Sequence, residues 1–597
     1  MGACPLHRAF RKGDPMLSGL RRCLSAPVVA LVALGSTLAL ATPVAAVPVL
    51  ADTYHGLTPA RLLETRVGLP TIDGEFQGGG AVGAGATLEL TVVGRGGVPV
   101  SGVGAVALNV AVTGASLPSF VTVFPSGASR PTAASVNFVA GETVSNMVIA
   151  KVGAGGRVSI YNLSGSVDVV VDVLGWFPAA SVPASTARVS VRPDGTASSG
   201  GDSFARAISD DGRFVAFEST ATDLVADDTN TASDVFLRDL VAGTTSRISV
   251  SSSGAQAIGG DSIAPSISAD GRYVVFHSAA TNLVGDDSNG RFDVFLRDTA
   301  TNTTTRISLS NTQAEAVNGD SVFGDISGDG RYVAFLSDAG NLVAADDNGQ
   351  FDVFVRDLQA STTTRVSVAS GGGQATGGAS AFPSISFDGR YVAFESKAVD
   401  LVAGDTNAQS DVFLHDVVAG TTIRVSVRSD GAQGEGGEST YATLSDDGRY
   451  VAFESSATNL VSGDSNGRFD AMIHDVVTGV TSRISVSTSG AQAVGNDSLA
   501  PSITSDGRYV AFHSGAANLV PNDTNGHFDV FVRDLATGTT SAVSVGASGA
   551  VASGGDSTFP AITPDGRHVV FKSAATDLVA GGEAGSVGIF VRDVGTN

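Results

Sequence analysis

Asp-Gly-Arg recurs at Asp211, Asp270, Asp329, Asp388, Asp447, Asp506 and Asp565, each 59 residues after the last, with no insertion or deletion. A fixed period of this length means that one supersecondary unit is copied along the chain. After each Asp-Gly-Arg comes an alternating run such as Arg272-Tyr-Val-Val-Phe276. A second run recurs in register: DVFLRD at Asp234 and Asp293, DVFVRD at Asp352 and Asp529, DVFLHD at Asp411. A third is the RISV type at Arg247, Arg306, Arg365, Arg424 and Arg483, and a fourth leads into Asp-Gly, as in Ala264-Pro-Ser-Ile-Ser-Ala-Asp270. The apolar period is two, which excludes a helical solenoid. A β-solenoid needs shorter coils. Four short strands between turn residues make a β-propeller blade.

The ends of the array predict how the ring closes. The RISV-type strand also occurs at Arg188-Val-Ser-Val191, one period before Arg247, and the next copy after residue 542 would fall beyond Asn597. The strand near Arg188 is therefore expected to complete the blade of Asp565. That gives seven blades over residues 187–597 and leaves no open sheet edge. The predicted class is all-β. Residues 52–178, Gly- and Val-rich with period-two runs such as Val106-Ala-Leu-Asn-Val-Ala-Val112, read as a separate β-sandwich or barrel-like domain, and 179–186 as a linker.

The pattern xPSIS-x-DGRYVAFxS resembles the repeats of TolB-type propellers, over about 410 residues. The resemblance implies the fold. It leaves function open, because such propellers serve as partner-binding scaffolds and, in some relatives, as lyases or peptidase domains. The strings YHGLTPARLLETR and GRVSIYNLSGSVDVVVDVLGWF resemble a β-domain that recurs in secreted actinobacterial proteins.

Composition narrows the function classes. Net charge is -23 and there are four lysines, Lys12, Lys151, Lys397 and Lys572, so no basic patch for nucleic acid can be built. Arg8, Arg11, Lys12, Arg21 and Arg22 precede an uncharged stretch ending in small residues (Val44-Ala45-Ala46), the pattern of a secretory signal peptide over 1–46. Met16 is an alternative start. The rival reading is an uncleaved anchor. Both cysteines, Cys4 and Cys23, lie in this stretch, so cleavage leaves no thiol for catalysis, zinc or a disulfide. A secreted or envelope-associated protein is expected.

Strand order puts the Gly-Asp-Ser and Asp-x-Asn-Gly loops on one face, opposite the tight Asp-Gly-Arg turns, and long loops on a rigid scaffold are where binding concentrates. Asp-x-Asn occurs at Asp228/Asn230, Asp287/Asn289, Asp405/Asn407, Asp464/Asn466 and Asp523/Asn525, with a variant at Asp346/Asn348. Each is followed by a further aspartate: Asp234, Asp293, Asp411, Asp470, Asp529 and Asp352. Hard oxygen ligands on a Gly-containing loop suit calcium. The spacing resembles the later half of the calcium loops of other propellers, but the first ligand is missing. The aspartates of the Gly-Asp-Ser loops (Asp202, Asp261, Asp320, Asp497, Asp556) are expected on the same face. The competing reading is turn-building, since Asn-Gly forms turns and Asp caps backbone N–H groups. Blade seven carries Gly581–Gly585 instead of the motif.

No catalytic constellation stands out. Glu218, His277, Leu336, Glu395, Glu454, His513 and Lys572 share one repeat position. A ring of Glu and His there would suit acid–base work, but the position tolerates Leu and Lys, which favours a polar outward-facing strand residue. His415 and His474 replace Arg at a strand position expected to be exposed. There is no G-x-S-x-G elbow in a strand–helix context and no H-E-x-x-H motif. With one Trp, and most tyrosines following Asp-Gly-Arg, sugar-stacking platforms are not expected. The favoured reading is a non-catalytic binding scaffold presenting an acidic loop face to a protein or envelope ligand. The alternative is an extracellular hydrolase or lyase acting on polysaccharide or peptide.

Overall fold

The computed structural model describes residues 54–99, 103–128, 130–178, 185–579 and 587–595. The expected signal peptide, most of the expected linker and the Gly581–Gly585 loop lie outside them. The described residues form two compact units, 54–178 and 185–594. Among them no helix is long and apolar enough to cross a membrane.

The first unit is a sandwich of two four-stranded antiparallel sheets. One orders His55–Glu64, Asp168–Pro178, Val103–Thr113 and Val144–Lys151; the other Thr87–Thr91, Arg157–Asn162, Ser119–Pro125 and Val136–Phe138. Alternate Val, Leu and Ile side chains from both fill one core. The string YHGLTPARLLETR is structural here: its buried Glu64 is held by Arg61 at 2.9 Å and Arg66 at 2.8 Å.

The second unit is seven four-stranded antiparallel sheets, each built in chain order from one repeat, except the last. The run into Asp-Gly is the first strand, the run after Asp-Gly-Arg the second, the DVFLRD type the third and the RISV type the fourth. In the last sheet Ser557–Ile562, His568–Ser573 and Gly588–Asp593 are joined by Ser185–Arg188, with Arg188 opposite Phe590. The ring thus closes as the sequence predicts. The closing strand starts at Ser185, within the expected linker. Val189, beyond it, is fully buried with Ile589 and Val570 in the closing core.

Packing repeats as strictly as sequence. In six blades a phenylalanine of the second strand stacks on one of the third, as Phe276 does on Phe295 at 5.9 Å. Blade five substitutes Met472 beside Phe453. On the Asp-Gly-Arg face, each arginine pairs with the last aspartate of the third strand; Arg272 meets Asp298 at 2.7 Å. Burial is slight there, and the Arg213 hydrogen bond still holds the Asp239 carboxyl down at about 2. The turn glycine is required twice over. Gly330 has φ +73°, and a Cβ there would stand 2.7 Å from the Tyr273 ring of the preceding blade.

The innermost strands carry a device that periodicity does not show. In each there is a register shift, so that Ala264 and Pro265 together oppose Phe276. The first bulge residue is left-handed although it is not glycine: Ala264, Phe323, Phe382, Tyr441, Ala500 and Phe559 have φ between 47° and 52°. Pro265, Pro383, Pro501 and Pro560 follow it, tolerated because a bulge frees a residue from donating to the ladder.

Closure is testable. A chain beginning after Val191 exposes the edge of Gly588–Asp593 and uncovers Ile589. It should lose cooperative unfolding at the wild-type temperature and self-associate on a sizing column. A monomeric truncated chain with an unchanged unfolding midpoint contradicts the closure.

Candidate functional site

The two long-loop sets do share a face. The Asp261 carboxylate accepts the backbone N–H of Ser233 at 3.0 Å, and Asp320 that of Phe292 at 3.1 Å, so each Gly-Asp-Ser aspartate caps the Asp-x-Asn loop of the preceding blade. Asp497 and Asp556 do the same for Phe469 and Phe528, and Asp202 for Val587.

The Asp-x-Asn residues turn inward. Asn230, Asn289, Asn348, Asn407, Asn466 and Asn525 each donate from Nδ2 to a backbone carbonyl of the loop after the fourth strand, for instance Asn289 to Ala316 at 3.0 Å. The following aspartates, Asp234, Asp293, Asp352, Asp411, Asp470 and Asp529, are buried, and each takes a serine hydroxyl from the fourth strand, as Asp470 takes Ser485 at 2.7 Å.

In blades one to five the RISV arginine fills the space between the two aspartates. Arg247 lies by Asp228 and Asp234, Arg306 by Asp287 and Asp293, Arg365 by Asp346 and Asp352, Arg424 by Asp405 and Asp411, and Arg483 by Asp464 and Asp470. All ten distances fall between 3.2 and 3.7 Å. In these five blades the carboxylates expected to hold calcium lie against a guanidinium, so an ion there would compete with the arginine for the same oxygens. The arginine reaches them because strand alternation turns its side chain in beneath the loop.

Blade two is the most acidic of these clusters. Asp287, Asp293 and Glu315 bring carboxylate oxygens within 4.8 Å of one another, and Arg306 stands among them, 2.6 Å from Glu315. Burial, reinforced by Asp293, pushes Asp287 up to about 6. Burial with Asp352 nearby does the same to Asp346.

The shared Glu/His position does not face outward. His277, Glu395, Glu454 and His513 are buried. Each accepts the backbone N–H of the left-handed bulge residue in the next blade: His277 from Phe323 at 3.2 Å, Glu395 from Tyr441 and Glu454 from Ala500 at 2.8 Å, His513 from Phe559 at 3.4 Å. Glu218 serves Ala264 likewise. The side chain crosses the blade interface, so it is spent on structure. Burial drives His513 down to about 3, keeping the ring neutral and able to accept. A depressed histidine contributes stability above its ordinary 6.5, lost as pH falls toward 3. His415 and His474 are also buried, not exposed. Their Nδ1 atoms meet the Thr422 and Thr481 hydroxyls at 2.9 and 2.8 Å, on the adjacent outer strand of the same blade.

The symmetry breaks in the central channel. Its cavity is lined by the bulges, among them Ala264, Phe323, Phe382, Tyr441 and Phe559, with Asp325 deeper in the strand. Phe323, Phe382 and Tyr441 form a half-buried arc across three consecutive blades, with ring centroids 5.0 and 6.2 Å apart. Counting Trp and Tyr missed this platform; the signal was the aromatic residue before Pro-Ser-Ile or its equivalent in some blades only. The Gly-Asp-Ser aspartates stand three residues upstream of the bulge; in the arc itself Phe323 has Asp320 there, Tyr441 has Glu438 and Phe382 has Ala379.

No family model and no curated protein matches the chain. Solved structures similar to it include TolB from Acinetobacter baumannii, 15% identical over 57% of this chain and 63% of that one with a TM-score of 0.31. Putative TolB from Agrobacterium tumefaciens is 16% identical over 55% and 89%, TM-score 0.30. The GH74 xyloglucanase from Xanthomonas campestris is 11% identical over 68% and 55%, TM-score 0.35. This chain thus spans less than two thirds of the first of these. They are likenesses of fold.

The arginine cluster makes a stability prediction. Arg306→Ala strands three carboxylates around one site and should cost about 3–5 kcal/mol at neutral pH. A raised carboxyl favours the folded state as it takes up its proton, so the loss should shrink as pH drops below about 6. Urea unfolding of both proteins at pH 7.5 and 5 checks this; a loss that is small or independent of pH contradicts it.

Proposed function

We propose that the protein is a secreted or envelope-associated, non-catalytic binding scaffold that receives a cationic ligand segment bearing apolar side chains at the channel mouth. The observation that carries this reading is the aromatic arc of Phe323, Phe382 and Tyr441, which breaks an otherwise sevenfold ring. Half-buried rings with Asp320 and Glu438 three residues upstream of two of them offer apolar area to a side chain and negative potential to its charge. Asp202, Asp261, Asp320 and Asp497 are half-buried and Asp556 is exposed. The acid–base candidates are tied up in blade latches, which favours binding over turnover. The signal-like N-terminus supports the location.

Peptide display against the full chain tests it. Selected sequences should pair Lys or Arg with aromatic or aliphatic residues. Phe382→Ala with Tyr441→Ala should weaken them at least about tenfold while leaving the unfolding midpoint close to wild type. Binders that ignore both rings overturn the reading, and turnover in a panel of peptides and glycans would establish the alternative of a hydrolase or lyase.

A further inference from the structure

Blade six departs from its sisters at two positions that act together. Ala542 stands one period after Arg483, and Val551 one period after Gln492, so the blade lacks the arginine of blades one to five and the glutamine that donates to the aspartates in blades one, three and five. The acids themselves remain, in the same frame. Ser544 donates to Asp529 at 2.7 Å, and Asn525 Nδ2 donates to Asp529 at 2.6 Å and to the Ala552 carbonyl at 2.7 Å.

Both carboxylates are out of solvent: Asp523 is 6% and Asp529 1% exposed. Among the described residues neither has an ion-pair partner. Asp523 accepts only the backbone N–H of Asn525, within its own turn. The nearest basic side chain, His527, is turned to Asp556 at 3.1 Å. Two buried carboxylates without a counter-charge cost several kcal/mol, and a matching cation would recover that cost.

The chemistry of that cation is written in the other blades. Five times over, the same pair of aspartates holds a guanidinium, at 3.2 to 3.7 Å. In three of them the guanidinium also donates to a backbone carbonyl of the exposed loop, as Arg306 does to Asp286 at 2.9 Å. Asn522 occupies the corresponding place in blade six and is exposed on the loop face.

We propose that blade six is a guanidinium-binding site, in which Asp523 and Asp529 take from outside the group that blades one to five supply from their own fourth strand. The occupant is an arginine side chain of a ligand or a free guanidinium compound. A planar, always-charged donor fork suits a carboxylate pair better than a compact ammonium does. The inference is independent of the channel mouth and stands or falls separately from it.

Ethylguanidinium at low millimolar concentration, titrated into the full chain by calorimetry and by thermal unfolding, is the probe, with ethylammonium and calcium as comparisons. One equivalent should bind and raise the midpoint, with ethylammonium at least tenfold weaker. Ala542→Arg should raise the midpoint without ligand and abolish the response. Asp523→Asn with Asp529→Asn, which keeps size and shape, should weaken binding at least tenfold and gives the answer if the arginine variant fails to fold. Arms using N-acetyl-arginine amide and free guanidinium separate a side-chain source from a small-molecule one. No saturable guanidinium binding, binding unchanged in the aspartate variant, or a response to calcium alone would overturn the proposal.

Discussion

The pairing of Ser185–Arg188 with Gly588–Asp593 is the constraint on which the propeller depends. Strands far apart in sequence must meet before the ring has no free edge, and each blade then packs on two neighbours. What holds blade to blade is partly apolar and partly the bond from a left-handed bulge N–H to a buried Glu or His of the blade before. A non-glycine left-handed residue costs energy by itself. Repeating it in six blades is sustainable because five of the six bulge N–H groups find a Glu or His acceptor and four of the bulge residues are followed by proline.

Charge follows from this architecture. The chain is strongly acidic, yet much of the acid on the loop face is internal. Five arginines on the fourth strands neutralise five aspartate pairs beneath the loops. What remains to meet a ligand is smaller and better placed: the half-buried carboxylates of the Gly-Asp-Ser loops, the exposed loop residues Asp227 and Asp286, and the uncompensated pair of blade six. A face that reads as uniformly acidic in sequence is selectively so in space.

The period of the repeat made the fold legible, because strand alternation, turn glycines and the spare strand at Arg188 are all local signals. It also placed the two loop sets on one face. The reach of side chains was harder. Arg306 is remote from Asp287 in sequence, and only a register across two strands brings them together. The clue existed: arginine and Asp-x-Asn occur together in blades one to five, and blade six breaks the pairing at Ala542. His277 and Glu395 look like polar strand residues in any single blade, since the bulge that uses them belongs to the next repeat. The aromatic arc was hidden for the same reason: Phe323, Phe382 and Tyr441 are 59 residues apart and meet only around the ring axis.

In blades one to five the protein's own arginines close the Asp-x-Asn loops. Calcium stoichiometry, measured by equilibrium dialysis of the intact chain at millimolar ion, tests it most directly. Internal neutralisation predicts no calcium held by blades one to five. Five or six equivalents bound per chain would contradict it, because each arginine would then have to yield its place to the ion.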